Sequence, residues 1–253
     1  MAATVVIDAG HGGSDPGAVY NGRREKDDNL RLALAVGRIL ENNGVNVVYT
    51  RTGDVYDSPY EKAQIGNRSG ADFFVSFHRN SSQVPGAYSG VETLVYNESG
   101  IKAELAERVN EELEKAGFKN LGLSVRPNLV VLNSTDMPSI LIEAGFINSA
   151  EDNRIFDQNF DEIAAGIADA ILDTVRADTE GTQYFVQTGL FRMIGNAQQQ
   201  ADQLWYYGYP ADIDMYNNLY RVLVGPYTSM EEAADVERAL RNMGYQTLII
   251  QRG

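Results

Sequence analysis

The sequence predicts an α/β fold: a mostly parallel sheet flanked by helices on both faces, followed by a small α+β domain of split-βαβ type. Three observations carry this. Short runs such as Val5-Val6-Ile7 and Phe73-Phe74-Val75-Ser76-Phe77 are apolar on both faces, as buried parallel strands are. Amphipathic helical stretches alternate with those runs. Then Ala177–Gln183, with no apolar residue larger than alanine, precedes an aromatic-rich unit that begins the alternation again.

In chain order, Val5–Asp8 is strand one and Gly10–Arg24 a glycine-rich loop. Lys26–Asn43 is a helix with Leu30, Ala33, Leu34, Gly37 and Leu40 on its inward face. Asp27 and Asp28 suit its positive end, and Gly44 suits its stop. Val45–Tyr49 is strand two, Glu61–Ser69 a helix and Asp72–His78 strand three. Gly90–Tyr96 alternates as a further strand, and Ile101–Gly117 is a helix with charged residues outside. Leu129–Leu132 and Ser139–Ile142 are short strands, and Glu162–Arg176 is a long amphipathic helix. Beyond the linker come strand Tyr184–Phe191, helix Asn196–Tyr207, strands Ala211–Met215 and Tyr220–Val224, helix Met230–Met243 and strand Tyr245–Gln251. That β-α-β-β-α-β order reads as a loose internal repeat of two halves. The expected domains are 1–176 and 184–253, joined by 177–183.

At 253 residues, 43% hydrophobic and 22% charged, the chain can bury a real core in one large domain or two unequal ones. It has no cysteine, which excludes disulfides and thiolate metal sites. Its net charge of −14 argues against nucleic acid and anionic membranes as partners. No stretch approaches the roughly 20 apolar residues of a membrane helix. No basic-then-apolar leader precedes Thr4, so the expectation is a chain made without an export signal or one whose leader has been lost.

The chemistry gathers at strand ends. The chain has only two histidines. His11 follows strand one on the glycine-rich loop, and His78 closes strand three. Glu143 directly follows Ile140-Leu141-Ile142, and Glu25 opens the first helix after the loop that holds His11. All four belong at one sheet edge, where ligands bind in open α/β sheets. Two imidazoles and one carboxylate are the ligand set of a catalytic zinc, and a second carboxylate can act as base. The spacing leaves open which carboxylate does which. A lone histidine after a strand is more often a surface residue, but both of only two ending buried strands is a much rarer chance. Glu25 lies in a charge run, Arg23-Arg24-Glu25-Lys26-Asp27-Asp28, of the kind that is usually a solvated helix start. A buried carboxylate at Glu143 would be costly without a partner.

Four stretches resemble the zinc-dependent N-acetylmuramoyl-L-alanine amidases. They are Ile7-Asp8-Ala9-Gly10-His11-Gly12-Gly13-Ser14-Asp15-Pro16-Gly17, Glu25-Lys26-Asp27, Val75-Ser76-Phe77-His78-Arg79-Asn80, and Pro138-Ser139-Ile140-Leu141-Ile142-Glu143-Ala144-Gly145-Phe146-Ile147-Asn148. The resemblance spans Val5–Val175. It implies one zinc ion on His11, Glu25 and His78, with Glu143 as catalytic carboxylate passing a proton from the zinc's water to the leaving amine. The bond cut joins N-acetylmuramic acid to the L-alanine of the stem peptide. The family usually has a small residue where Arg79 stands. Asn80 and Arg126 are candidate substrate contacts. Glu143 follows His78 by 65 positions, and no blocking helical insert of the kind some members carry is expected.

Tyr184–Gln251 resembles the SPOR domain, a peptidoglycan-binding module, on Tyr184-Phe185-Val186-Gln187-Thr188-Gly189-Leu190-Phe191 and Tyr220-Arg221-Val222-Leu223-Val224-Gly225-Pro226-Tyr227. It implies binding of glycan strands stripped of stem peptides, with Gln187 and Arg221 as candidate contacts. The expected role is an autolysin of the bacterial cell wall, in mother-cell lysis during sporulation. The alternatives are a phage endolysin or an exported cell-division amidase of the same chemistry, a zinc peptidase or deacetylase on the same polymer, and a non-catalytic wall-binding protein.

Overall fold

The computed structural model describes residues 3–179 and 183–252. They form two compact units: residues up to Glu98 with Lys102–Val175, and Ser99–Ile101 with the residues from Arg176 on.

In the larger unit, β1 (Thr4–Ala9) leads through a turn to the hairpin β2 (Val19–Tyr20) and β3 (Arg23–Arg24). Then follow α1 (Glu25–Asn42), β4 (Asn46–Tyr49), α2 (Pro59–Ser69), β5 (Phe73–Asn80), β6 (Val91–Val95), α3 (Ile101–Lys115), β7 (Asn120–Val125), α4 (Val130–Asn133), β8 (Ser139–Phe146), α5 (Ala150–Gln158) and α6 (Phe160–Thr179). One six-stranded sheet runs β4-β1-β5-β8-β6-β7. The first four strands are parallel, β6 pairs antiparallel with β8, and β7 runs parallel to β6.

The apolar runs explain this layering. Val5, Ile7, Val75, Phe77, Ile140 and Ile142 point to one side; Val6, Phe74, Leu141 and Leu94 point to the other. None is more than 6% exposed, so both faces are covered. The second set packs with Ala71, Val131 and Leu132, beneath Leu129 and Met137. At α2, Ser58 and Glu61 close a capping box, Pro59 starts the helix, and Gly70 follows it in the left-handed region.

Several expectations are corrected. Leu129–Leu132 is not a strand: it lies at the one-turn helix α4, because a four-residue apolar run carries too little periodicity to distinguish the two. β7, α5 and the hairpin β2–β3 stand where no element was expected. Glu143 lies inside β8, which continues to Phe146. The inward face of α1 is Asn29, Leu32, Ala33, Val36, Gly37 and Leu40. Leu30 and Leu34 are only half-buried.

The smaller unit contains β9 (Gln183–Phe191), α7 (Ile194–Tyr206), β10 (Ala211–Tyr216), β11 (Leu219–Tyr227), α8 (Met230–Asn242) and β12 (Leu248–Arg252). This is the expected β-α-β-β-α-β order, with an antiparallel sheet β10-β11-β9-β12. Tyr184, Val186, Val222 and Val224 form its core with Ala197, Ala201 and Leu204 of α7 and Ala233 and Leu240 of α8. Of the expected linker, 177–179 continue α6 and Gln183 begins β9. Residues 180–182 lie outside the described residues.

Candidate active site

The site begins with strand register. His78 on β5 pairs with Glu143 on β8, and Glu143 pairs with Glu92 on β6. Paired residues share a face, so His78, Glu143 and Glu92 form a row across three neighbouring strands. His11 enters beside His78 from the turn after β1. Gly10 N donates to Phe77 O at 3.0 Å, and Arg51 clamps the turn through Nε to Ala9 O and Nη2 to Gly10 O, both 3.0 Å. The turn places His11 at φ 60°, a left-handed conformation that costs an L-residue roughly 1–2 kcal/mol.

His11 Nε2 lies 3.1 Å and His78 Nδ1 3.0 Å from the same carboxylate oxygen, Glu25 Oε1. The imidazole rings meet edge to face, centroids 4.9 Å apart. One ligand atom from each of the three residues lies within 4.8 Å of the others. Asp15 Oδ2 is 2.7 Å from His11 Nδ1, and its other oxygen accepts Gly17 N at 3.0 Å. Ala18 N donates to Glu25 Oε2 at 2.8 Å. Glu25 is the first residue of α1, where the helix dipole favours a negative charge. The glycines are spatial requirements. A Cβ on Gly10 would lie 2.3 Å from His78 Nε2, and one on Gly17 would lie 2.6 Å from both Glu25 Oε2 and His11 Cδ2.

The charges interlock. Burial pushes Glu25 upward, but hydrogen bonds from His11 and His78 outweigh it and hold the carboxyl well below its ordinary range. Burial lowers His11, and Glu25 and Asp15 outweigh that, raising it to about 9. Glu143 is pushed up to about 8, first by burial and then by the charges of Glu25 and Glu92. Its Oε2 is shut from water and has no hydrogen-bond partner. Two imidazoles and a carboxylate with outer partners in place, in an acidic surrounding, beside a dry unpaired carboxylate oxygen, suit a divalent cation with borderline nitrogen–oxygen preference. The residues fit zinc.

A cleft of about 250 Å³ opens at this cluster, walled by His11, His78, Pro59, Asn128, Leu129 and Val130. Beneath it lies a buried polar knot. Asp8 accepts Lys62 Nζ at 2.9 Å, Thr50 Oγ1 at 2.6 Å and Ser76 Oγ at 2.6 Å.

The other expected residues fall in distinct places. Arg79 points to the opposite face of the sheet, buried against Phe156 and bonded to Asp28 at 2.7 Å and Asn153 at 2.8 Å. Its side chain therefore stays out of the cleft, and only its backbone N reaches the site, donating to Glu25 Oε1 at 3.2 Å. Asn80 Nδ2 donates to Glu92 Oε1 at 2.8 Å. Arg126 is exposed after β7, its Nη1 on Val125 O, two residues before Asn128 of the cleft. Gln187 and Arg221 lie on one face of the small sheet, Leu223 pairing with Gln187 and Asp214 with Arg221. Arg221 holds Asp214 at 2.8 Å and sits over the Tyr216 ring. The sequence gives Arg51 and Lys62 no signal of a role here, and marks Asp8 and Asp15 only as members of the stretch Ile7–Gly17.

An α/β sheet with a His–Glu–His group and a buried carboxylate at its ligand-binding edge defines a hydrolase. The chain belongs to the N-acetylmuramoyl-L-alanine amidase family, whose profile matches residues 5–173, and a SPOR domain matches 180–251. It is 35% identical over 205 residues to the sporulation-specific N-acetylmuramoyl-L-alanine amidase of Bacillus subtilis, covering 78% of each chain. It is 32% identical to the amidase CwlM of Bacillus licheniformis, over 82% of this chain and 83% of that one. The crystal structure of an N-acetylmuramoyl-L-alanine amidase from Clostridium difficile 630 superposes with a TM-score of 0.66 at 34% identity, over 71% of this chain and 99% of that one. The chain is thus a peptidoglycan amidase of the cell wall that carries a peptidoglycan-binding SPOR domain. None of its helices is long and apolar enough, among the described residues, to cross a membrane.

Proposed function

We propose that His11, Glu25 and His78 hold one zinc ion and that Glu143 shuttles the proton in cleavage of the muramoyl–L-alanine amide. The observation that carries this is the meeting of both of the chain's histidines with Glu25, one residue pairing away from Glu143. Zinc bound there would polarise the scissile carbonyl and lower the pKa of the attacking water. The remaining work falls to the chain. Asp15 accepts from His11 Nδ1–H and so fixes the tautomer that leaves Nε2 free to ligate. Glu143, raised by its surroundings, binds a proton more readily than an ordinary carboxyl. That suits a group that takes a proton from water and returns it to the leaving nitrogen. Leu129 and Val130 line the cleft with apolar surface.

In this reading 1–176 is the catalytic domain and 184–253 the glycan-binding domain, joined by 177–183. Gln187 and Arg221, on one face of the small sheet, are its contacts with glycan strands stripped of stem peptides. Similarity along most of both chains to a sporulation-specific amidase supports a role as autolysin in mother-cell lysis. A phage-driven role is the second reading, since the endolysin of Bacillus phage SPP1 is 34% identical over 182 residues.

The test is release of L-alanine amino termini from intact sacculi, with and without chelator. Chelator-sensitive release that Glu143→Ala abolishes supports the reading. Bound sacculi with no new L-alanine termini would sink it.

A further inference from the structure

We infer that Glu92 is a second catalytic carboxylate, accepting a hydrogen bond from the leaving nitrogen of L-alanine as the amide breaks. This rests on the reading of the site given above. Glu92 continues the row His78–Glu143 by one strand, so its side chain flanks Glu143 on the side away from the histidines. Its carboxylate is held from both ends. Oε1 accepts Asn80 Nδ2 at 2.8 Å and Oε2 accepts Ser124 Oγ at 2.6 Å. Both donors are neutral, and each oxygen keeps a lone pair for a further donor.

The fold alone does not call for that charge. Like charges directly opposite one another across a strand pair destabilise a sheet. Glutamine would satisfy both Asn80 and Ser124 without opposing Glu143. A fixed carboxylate with spare acceptor capacity has a use where positive charge develops, and nitrogen is where it develops in amide hydrolysis. The lactyl carbon–nitrogen bond breaks and a carbon–oxygen bond to water forms. Both protons of that water finish on the nitrogen, which leaves as an ammonium while the new acid leaves as a carboxylate. Glu92 exchanges no proton in this balance. It accepts the nitrogen's N–H and stabilises its growing charge. Glu92 itself lines a second cavity of about 610 Å³, with Ser82, Val84, Tyr88, Leu121 and Phe146, which neither histidine lines. In this inference that cavity receives the departing stem peptide on the side of Glu143 away from the histidine cluster.

The test compares Glu92→Gln with wild type, as full chains, on two synthetic muramoyl substrates. One carries the L-alanine amide; in the other, L-lactate makes an ester whose leaving oxygen has no N–H. Glu92→Gln should lower kcat on the amide about 30-fold with little change in KM, and on the ester less than about twofold. Glu92→Asp, which keeps the charge, should recover part of the amide rate. A second readout needs no turnover: the free stem peptide with its α-ammonium should bind wild type about tenfold more tightly than Glu92→Gln. The N-acetylated peptide should not discriminate. Equal losses on amide and ester, or no loss on the amide, overturn the inference. If wild type cleaves neither substrate, the amidase reading fails, and the peptide-binding arm still decides Glu92.

Discussion

In the larger unit both faces of the sheet are covered, and the charged groups crowd into the sheet edge with little water. Asp8 and Lys62 are 1% and 4% exposed in their side chains. In the smaller unit the ion pairs stay nearer solvent. Arg221 and Arg252 share Asp214, and the Asp214 side chain is 31% exposed. The first arrangement can fix atoms to the tolerance that bond cleavage needs, because burial leaves each charge dependent on its partners. The second suits the loose recognition of a polymer, where water still competes for every contact. Chemistry and binding thus occupy regions of opposite dielectric character within one chain.

The broadest way to break this contrast is to remove the metal proposed for His11, Glu25 and His78. Chelation should reduce L-alanine release to background and added zinc should restore it, while sacculus binding stays within about twofold, as measured by pelleting. Loss of binding together with activity would mean that the two regions are not separable. Next comes Glu143→Ala, expected to lower amidase turnover by roughly 10³-fold or more and to leave binding intact.

The two ion pairs sharpen the contrast energetically. Asp8→Asn leaves Lys62 buried beside a neutral group, and should destabilise the larger unit by about 3 kcal/mol. Asp214→Asn should cost less than about 1 kcal/mol. Trp205 is the chain's single tryptophan and lies in the smaller unit. Urea unfolding followed by its fluorescence and by circular dichroism therefore separates the two effects. A fluorescence shift in Asp8→Asn as large as the dichroism shift would contradict the assignment.

Acid gives the smallest effect. Burial raises the Asp8 carboxyl, but Lys62, Ser76 and Thr50 outweigh it, so its folded value lies below the ordinary one. As pH falls, the unfolded chain takes up this proton first. The stability Asp8 contributes is complete above about pH 4 and drains away below it, toward the folded-state value. Asp214 is also lowered, first by its bond from Arg221, in the same direction. Its exposure makes its contribution smaller. Between pH 5 and 3 the dichroism transition should lose stability faster than the fluorescence transition, and the reverse order would refute this.

Much of the candidate site is legible in the sequence because the side chains proposed for it end apolar runs. His11, His78 and Glu143 each follow a run too hydrophobic to be anything but buried, and the sheet edge is the place left for them. What holds them is not legible. Asp15, Arg51 and Lys62 act through backbone carbonyls and ring nitrogens reached only after folding. Arg79 adjoins His78 in sequence yet serves the opposite face, as strand alternation requires. The phase of α1 is ambiguous because Leu30, Leu32, Leu34 and Val36 fall two residues apart, and only packing on β1, β4 and β5 selects one stripe. α5 carries just two buried apolar residues, Ile155 and Phe156, and so leaves almost no periodic signal.

The position of β8 also has a consequence in time. It fills the slot between β5 and β6, although it leaves the ribosome after both. Until Ser139–Phe146 is synthesised, the strand that joins β6 and β7 to β5 is missing. The nascent chain then carries His11, Glu25 and His78, the three residues proposed to hold the metal, but neither Glu143 nor the strand that would bring Glu92 beside it. A product ending before Ser139 therefore lacks the strand that ties β6 and β7 to β5. The row His78–Glu143–Glu92 is completed by one late strand insertion.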